Sequence, residues 1–388
     1  MAMQRVLYLT TVYPGHRKTG GDVCSQSYID ALRGSGVEVD VVCFLRPGDK
    51  QPQQAWEHVA EVRSIESAEA GRQLYFWLLK SVLSGTPYSA EKYRSAAYLQ
   101  LVASLCSSNQ YQFCVLDHAS RLTWVLPHLP ASLPVVANTH NIEHRLYQRL
   151  QRSSSSMLKR WVYAREARLV EAIERSLPAR VREIWTVTPE DGAYFSSLPN
   201  PPKVRAFETP PADFEIPQAA AKRYDVGLLG NWQWVANREG LEWFVKEVTP
   251  KLPDLDIEVA GKGADWLEGL SPRLKVRGFV EDSRRFLCEA RVIAIASTSG
   301  AGVQIKTLEA IALGMPVVAT TVAVRGIREL PATVKVADDP ARFAELLQEA
   351  VAKPVSGPDS AALAWADNLR RQYRGSMQDA LHGFAALT

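Results

Sequence analysis

The 388-residue sequence has few cysteines and no spacing that would pair them. Its five cysteines form no C-x-x-C motif, which favours buried thiols over disulfides or a zinc site. No excess of one charge is present, because the formal net charge is only +3, and this value does not indicate a nucleic-acid partner. The longest apolar run, residues 74–83, is interrupted by Lys80 and is too short to span a bilayer.

Leader and cofactor signals are also missing. The chain passes from Met1 into a strand pattern that ends at Thr10, so we expect no signal peptide and a cytoplasmic location. Gly20 and Gly21 lack the G-x-G-x-x-G spacing of a nicotinamide-binding fingerprint. We find no set of His and Asp residues clustered in a way that suits Mg²⁺ or Mn²⁺, so the sequence predicts no metal and no other bound cofactor.

The stretch 297–321 carries the clearest functional signal. A buried-strand pattern leads into a glycine-bearing loop, and the loop opens a helical pattern from about Val303. A helix N-terminus after such a loop presents free N–H groups to an anion, so we expect a phosphate site. Lys306 could add positive charge, and the carboxylate of Glu309 can accept hydrogen bonds from two ribose or sugar hydroxyls. The predicted phosphate-binding loop comprises Gly302, Val303 and Gln304.

Two histidines follow neighbouring strand patterns in the first half of the chain. His118 comes after residues 112–116, and His140 comes after residues 133–137. Ligands of open α/β sheets bind outside the carboxyl ends of the strands, which favours a functional role for the two histidines. A lone histidine is usually structural, so from position alone the two roles are about equally supported. Gly20 and Gly21, at the start of a helix, could hold a phosphate or admit an acceptor, with a plain tight turn as the alternative.

A resemblance to a known family rests on several of these residues. Residues 302–320 are similar to the donor-binding motif of retaining glycosyltransferases of the GT-B fold, the family-4 type. The family often has a second Glu eight residues before Glu309, but that position is Ala301 here. Gly302, Lys306 and Glu309 match a subset with the pattern Gly-x-x-x-Lys-x-x-Glu. THNIE at 139–143 and GNWQWVAN at 230–237 resemble two further family segments.

The resemblance implies an α/β protein with two Rossmann-like domains, whose parallel sheets face a central cleft. An acceptor-binding domain would span 1–207, a linker 208–222 and a donor-binding domain 223–360, with the last helix, about 361–388, packing back on the first domain. In the family the equivalent of His140 reaches the donor sugar, so we expect His140, then His118, to act in catalysis with Glu309, and Gly20-Gly21 to face the acceptor. The implied donor-binding residues are Gly230, Asn231, Lys262, Phe279, Val280, Gly302, Val303, Gln304, Lys306 and Glu309.

The implied activity is transfer of a sugar from a nucleotide-diphosphate sugar to an acceptor hydroxyl, with retention of configuration and without a metal. A cell-envelope glycan, polysaccharide or glycolipid pathway is the expected setting. A solvated loop lysine is the alternative for Lys262. Two other functions stay open: a nucleotide-sugar epimerase of the same architecture, which would need carboxylates in the cleft, and a catalytically silent nucleotide-sugar-binding protein, which Ala301 allows.

Two segments suggest a membrane surface as a partner. Residues 71–84 read as an amphipathic helix with crowded aromatic side chains, which either pack in the core or contact a membrane. Residues 145–182 form a long basic stretch with helical character, whose charges are either solvated or contact anionic lipid or a phosphate-bearing acceptor. We therefore expect a cytoplasmic protein with possible peripheral contact at the inner face of the membrane.

Overall fold

The computed structural model describes residues 4–17, 19–65, 71–217, 221–300, 302–354 and 357–385. Ala301, the position of the family's second glutamate, lies outside the described residues. The chain divides into two compact units. One contains the chain up to Thr209 together with the part from Tyr373 onward, and the other is Pro210–Gln372.

The first unit is built on seven parallel strands. They are β1 (Arg5–Leu9), β2 (Glu38–Leu45), β3 (Glu57–Val62), β4 (Phe113–Asp117), β5 (Val135–Thr139), β6 (Glu183–Thr186) and β7 (Lys203–Ala206). Their order in the sheet is β3-β2-β1-β4-β5-β6-β7. The central strands are buried on both faces, as expected for parallel strands that are covered by helices on both sides.

Among the described residues, eight α-helices precede the second unit in chain order. They are α1 (Gly20–Gly34), α2 (Arg72–Ser84), α3 (Tyr88–Glu91), α4 (Ala96–Ser108), α5 (Ala119–Leu122), α6 (Glu143–Ser153), α7 (Met157–Ser176) and α8 (Pro189–Ser196). The stretch 145–182, which the sequence predicts to be helical, is divided between α6 and α7 and continues beyond the end of α7. A run of serines ends α6, and the Ser156 side chain caps α7 by accepting the N–H of Lys159 at 3.4 Å.

The second unit is built on six parallel strands: β8 (Tyr224–Leu229), β9 (Ile257–Ala260), β10 (Leu274–Gly278), β11 (Ala290–Ile295), β12 (Val317–Ala319) and β13 (Val334–Val336). Their order is β10-β9-β8-β11-β12-β13. The helices are α9 (Val235–Trp243), α10 (Ser283–Glu289), α11 (Ile305–Ala312), α12 (Pro340–Ala352) and α13 (Ser360–Ala385). The two parallel Rossmann-like sheets confirm the predicted α/β fold class.

Both sheets reverse their strand order beside their first strand, between β1 and β4 in one unit and between β8 and β11 in the other. At such a reversal the connections leave toward opposite faces of the sheet, which opens a crevice at the carboxyl ends of the two strands. The loops that follow β1, β4, β8 and β11, together with the helices after them, contain most of the predicted site residues.

The boundary between the units differs in detail from the predicted linker 208–222. Thr209 belongs to the first unit, where its hydroxyl lies 2.8 Å from the sulfur of Cys24. Phe214 and Ile216 instead pack against the core of the second unit. Helix α13 crosses the boundary, because Ala362 lies in the second core and Phe384 in the first.

Helix α2 exposes most of its apolar side chains. Tyr75 is 73 % exposed, Phe76 is 55 % exposed and Leu79 is 57 % exposed, whereas Trp77 is buried. Core packing therefore explains Trp77 and not the rest of the aromatic cluster. Among the described residues, no helix combines the length and the apolar character that crossing a bilayer requires.

Candidate functional site

The first unit holds a buried carboxylate, Asp117, at the end of β4. Its Oδ2 atom accepts hydrogen bonds from the hydroxyls of Thr10 at 2.7 Å and Ser25 at 2.6 Å. Its Oδ1 atom accepts one from Nδ2 of Asn138 at 2.8 Å and lies 2.7 Å from Nε2 of His140. Because β1, β4 and β5 are neighbours, the polar residues at or just beyond their carboxyl ends meet at this point.

The charge of Asp117 determines how His140 is held. Burial by itself raises the pKa of Asp117, but the charge and hydrogen bond of His140 and the hydrogen bond from Ser25 outweigh burial and hold that pKa well below its usual value. An ionised carboxylate only accepts hydrogen bonds, so Nε2 of His140 carries a proton and donates it. Asp117 thereby orients a histidine ring that is itself buried.

His118 stacks on His140, with ring centroids 4.0 Å apart and ring planes at 27°. Burial, followed by the charge of His140, lowers the pKa of His118 well below its usual 6.5, so this ring is neutral at neutral pH. Its Nδ1 atom is buried without a hydrogen-bond partner among the described residues. Its backbone lies in the left-handed region at φ 50°, which non-glycine residues rarely adopt. Such strain and such orphaned polar atoms concentrate at functional sites.

Helix α1 begins beside this histidine pair. The side chain of Thr19 accepts the N–H of Asp22 at 3.2 Å, and the Asp22 carboxylate accepts the N–H of Thr19 at 3.2 Å. A Cβ atom added to Gly21 would lie 3.5 Å from Cε1 of His118. The structure thus brings the predicted residues Gly20, Gly21, His118 and His140 to one place, at a helix N-terminus that favours anions.

An ion pair joins the two segments that carry the histidines. Arg121 and Glu143 each come three residues after a histidine, and Nη2 of Arg121 lies 3.1 Å from both carboxylate oxygens of Glu143. The N–H of Glu143 donates to Glu174 at 2.7 Å, and Nδ1 of His144 lies 2.5 Å from the same carboxylate. The start of α6 is therefore anchored both to α5 and to α7, which fixes the backbone just after His140.

Asp117, His118 and His140 place three potential metal-ligand atoms within 4.8 Å of one another. Sequence analysis did not identify this cluster, because adjacent strand ends bring together residues that are distant in sequence. The donor atoms already have other uses, however. Both oxygens of Asp117 accept hydrogen bonds from side chains of the protein, and one of these bonds uses Nε2 of His140. We therefore describe the cluster as a hydrogen-bonded network.

In the second unit, the loop between β11 and α11 contains the predicted phosphate-binding residues. Gln304 caps the helix, which begins at Ile305, and its side-chain oxygen accepts the Ser297 hydroxyl at 2.8 Å. The first N–H groups of α11 have no intrahelical partner, as at any helix start. Gly302 adopts φ 72°, in the left-handed region that favours glycine, and Val303 after it is half-buried.

Lys306 lies in the first turn of α11 and is half-buried. Its Nζ atom donates to Oδ1 of Asn237 at 3.2 Å and lies 5.6 Å from the centre of the Trp232 ring. Burial lowers the pKa of Lys306 to about 8. Asn237 in turn donates to the carbonyl of Asn231 at 2.9 Å, so the loops after β8 and β11 meet at this ammonium group. Glu309 is half-buried about one turn further along α11.

The loops after β8, β9 and β10 are also linked. The N–H of Gly230 donates to the last residue of β9 at 3.2 Å, and the N–H of Trp232 donates to the carbonyl of Lys262 at 2.9 Å. The ammonium of Lys262 lies 5.4 Å from the ring centre of Phe279, which is 67 % exposed. Val280 packs against the apolar core of this unit. The predicted donor residues therefore lie on loops that meet at one edge of the second sheet.

Sequence analysis missed three parts of these sites: Asp117, the Arg121–Glu143 pair and Arg325. Nη2 of Arg325 donates to the carbonyls of Gly300 at 2.9 Å and Gly302 at 3.4 Å, and so supports the phosphate-binding loop. A polar residue at the end of a central strand is a usable signal, and it could have identified Asp117. Glu143 is the last residue of the THNIE segment, but nothing in the sequence pairs it with Arg121 or points to Arg325, because these contacts join segments far apart in the chain.

Comparisons with known proteins bear on the family and the fold of the chain. Residues 223–353, about a third of the chain, match the family described as glycosyl transferases group 1. No curated protein sequence matches the chain. Among solved structures, HepE from Anabaena, in complex with UDP and glucose, has a TM-score of 0.60 at 12 % identity over 98 % of this chain and 100 % of its own.

Two further solved structures have the same fold. WaaG, a glycosyltransferase involved in lipopolysaccharide biosynthesis, has a TM-score of 0.58 at 16 % identity, over 97 % of this chain and 98 % of its own. TarM has a TM-score of 0.62 at 10 % identity, over 99 % of both chains. Residues 223–353 thus form a glycosyltransferase group 1 domain in a chain with the GT-B fold, and at that level the prediction of a glycosyltransferase enzyme is confirmed.

Proposed function

We propose that the chain transfers a sugar from a nucleotide-diphosphate sugar to an acceptor hydroxyl, with retention of anomeric configuration. The observation that carries this proposal is the grouping, beside the strand-order reversal of the second sheet, of the α11 N-terminus with Lys306 and Glu309. Free N–H groups and an ammonium complement a diphosphate, and a carboxylate complements ribose or sugar hydroxyls. The two chemistries stand about one helical turn apart, as a nucleotide-sugar requires.

The mechanism we propose stabilises the leaving diphosphate. As the bond to the anomeric carbon breaks, negative charge grows on the diphosphate and the sugar becomes oxocarbenium-like. The N–H groups at the start of α11 and the charge of Lys306, with Lys262 as a further cation, are fixed before the reaction and stabilise that charge. These groups supply the stabilisation from the protein itself, which supports a metal-independent reaction.

The first unit contributes the Asp117–His140 pair in this proposal. Nε2 of His140 is occupied by Asp117, so Nδ1 is the atom with which this ring would contact the donor sugar. Asp117 fixes the ring plane and keeps His140 from rotating, which lowers the entropic cost of holding the sugar. His118 supports the His140 ring by stacking on it. In this proposal the leaving phosphate acts as the base that takes the proton of the acceptor hydroxyl.

Uridine nucleotides are the first donors to test, because the HepE structures contain UDP and UDP-glucose. For the acceptor we propose a cell-envelope glycan or glycolipid. The exposed apolar side chains of α2 support a site of action at an anionic membrane surface, and the similar fold of WaaG is consistent with that class of acceptor.

A thermal-shift panel of nucleoside diphosphates and nucleotide sugars tests the donor site. A ligand at about one hundred times its dissociation constant adds about 2.7 kcal/mol of stability. We expect a uridine nucleotide to raise the unfolding midpoint of the wild type and of Glu268→Ala, which removes an exposed carboxylate in the same unit, but not of Glu309→Ala. Equal shifts in all three proteins would exclude Glu309 as a donor contact.

Turnover separates the proposal from its alternatives. Release of the nucleoside diphosphate only when an acceptor is present supports transfer, and proton NMR of the product reports whether the anomeric configuration is retained. Conversion of the nucleotide-sugar without an acceptor would indicate an epimerase. Binding without any turnover across a panel of envelope glycans and glycolipids would indicate a silent binding protein.

A further inference from the structure

A cavity of about 620 Å³ opens in the first unit between α2, α4, α7 and the segment that follows α5. Its lining includes the exposed basic side chains of Lys80, Arg94, His128 and Arg180, and none of its lining residues is acidic. The transfer reaction proposed above uses none of these residues. A cavity lined by cations and lacking carboxylates is suited to an anion.

Local contacts hold the basic groups at this cavity without using up their donors. Arg94 lies 3.3 Å from the carboxylate of Glu91, which neutralises one of the charges. Nη2 of Arg180 donates to the carbonyl of Thr123 at 3.3 Å. Each guanidinium has five N–H donors, so most of them remain for a ligand. Within the described part of the chain, the contact found for the ammonium of Lys80 is with an aromatic ring of its own helix, at 4.6 Å.

Helix α4 adds backbone N–H donors to the same cavity. Helix α4 begins there: Ser95 is its cap and Ala96 its first residue, so the positive end of a 13-residue helix faces the cavity. Trp124 also lines it, and the indole Nε1–H of Trp124 is buried without a hydrogen-bond partner among the described residues. This N–H is itself buried, so it is not among the donors that the cavity presents to a ligand.

Exposed apolar side chains adjoin the cavity through Lys80. On α2, Leu79 is 57 % exposed and Leu83 is 79 % exposed, and in the first turns of α7 Trp161 is 61 % exposed. The two helices are fastened together because Arg165 of α7 donates to the hydroxyl and to the carbonyl of Ser81 of α2, both at 2.7 Å. Apolar side chains beside a cationic cavity match the layered chemistry of a bilayer surface, with hydrocarbon below phosphate.

We infer that this cavity binds the phosphate group of an anionic lipid, while the apolar side chains of α2 and of the start of α7 enter the bilayer surface. The inference makes specific the membrane contact that accompanies the proposed function. It does not need a nucleotide-sugar, because the cavity residues take no part in the donor site. Vesicle binding can therefore fail while transfer to a soluble acceptor stands, and the reverse also holds.

Sedimentation with phosphatidylcholine vesicles, with and without phosphatidylglycerol, tests the cavity. We expect the wild type to bind the anionic vesicles, more weakly as salt is raised. Each basic residue near an anionic surface contributes a factor of about five, so K80Q/R94Q/R180Q should bind at least about tenfold more weakly. The control K275Q/K335Q/K353Q removes the same charge from exposed positions of the second unit and should bind like the wild type.

Further variants and ligands test whether vesicle binding depends on this cavity, on the overall charge of the protein or on a soluble phosphate ligand. L79S/L83S should also lose vesicle binding, because the apolar insertion is removed while every cation stays. Equal binding by the cavity variant and its control, both with unchanged unfolding midpoints, would overturn the inference. A midpoint increase with inorganic phosphate that K80Q/R94Q/R180Q loses, without vesicle binding by the wild type, would assign the cavity to a soluble phosphate ligand and also overturn it.

Discussion

Lys306 keeps an ammonium group at a position that disfavours charge. Burial lowers its pKa to about 8, compared with about 10.4 in an unfolded chain. Between these two values the unfolded chain holds the proton and the folded chain has released it, so this group makes the folded state more stable as pH rises through that window. Anion binding changes in the opposite direction, because the positive charge that attracts a phosphate is lost.

This opposition gives a prediction for donor binding. We expect the affinity of the wild type for a nucleoside diphosphate to fall by up to about tenfold per pH unit above about pH 8. Lys306→Arg keeps its charge throughout this range and should lack that fall, although its weaker fit lowers affinity at every pH. Calorimetric titrations at a series of pH values measure both curves. Parallel curves for the two proteins would show that Lys306 does not contact the phosphates.

At this scale the sequence was informative where one residue type carries the signal. His118 and His140 were predicted from their positions after strands, and the structure stacks their rings. Arg121 gave no signal and Glu143 only its place in the THNIE segment, because an exposed arginine or glutamate usually contributes little through any one ion pair. Their structural role is a contact of one guanidinium nitrogen with both carboxylate oxygens, between segments 22 residues apart. Only the folded chain reveals this contact.

Helix α9 shows how one glycine sets the position of a whole element. Gly240 lies on the face of α9 that contacts the end of β11, and a Cβ atom built there would overlap the carbonyl oxygen of Ala296. That carbonyl directly precedes the loop that leads to Gly302. Because the obstacle is backbone and not a flexible side chain, an alanine at this position has to displace either the helix or the loop.

We therefore expect Gly240→Ala to lower the unfolding midpoint and to weaken nucleotide binding together. The matched control is Gly375→Ala in α13, where nothing lies within 4 Å of the added Cβ. Alanine favours a helix over glycine by about 1 kcal/mol, so the control should be neutral or stabilising. Thermal unfolding with and without ligand measures both effects. A stabilised Gly240→Ala with normal ligand binding would contradict the close packing of α9.

Element boundaries were harder to predict than element types. Apolar β-branched runs identified the central strands of both sheets, because strands covered on both faces have little choice of residue. The break between α6 and α7 was missed, since serine is tolerated in a helix and only its cap at Ser156 marks a new start. The exposure of α2 was also beyond the sequence, because an apolar helical face does not say whether protein or another phase covers it.

At the scale of the molecule, alternating strand and helix patterns predicted two parallel sheets, because parallel strands need crossover connections. The order of the strands could not be predicted from periodicity. It is nevertheless the feature that selects the sites, since both strand-order reversals coincide with the loops that hold His118 and Lys306. The resemblance of the donor motif to a known family identified the functional loops indirectly. It did not explain why those loops lie at the strand-order reversals.

Helix α13 contributes residues to the cores of both units, so a substitution near one of its ends should affect the stability of one unit only. Phe384 near its end is 2 % exposed and stacks on Phe113 of β4 at a centroid distance of 4.2 Å, whereas Ala362 near its start lies in the core of the second unit. Replacing a buried phenylalanine by alanine costs about 3–5 kcal/mol. We expect this loss to fall on the first unit, because that is where the ring packs.

Phe384→Ala should therefore split the thermal unfolding of the chain into two transitions, with the first unit unfolding earlier. A nucleoside diphosphate should raise the midpoint of the later transition only, because the proposed donor residues all lie in the second unit. Leu270→Ala, at a side chain 57 % exposed, is the control and should leave the wild-type profile unchanged. A single transition in Phe384→Ala that shifts as a whole with nucleotide would instead show that the two units unfold as one cooperative body, with α13 transmitting stability from one core to the other.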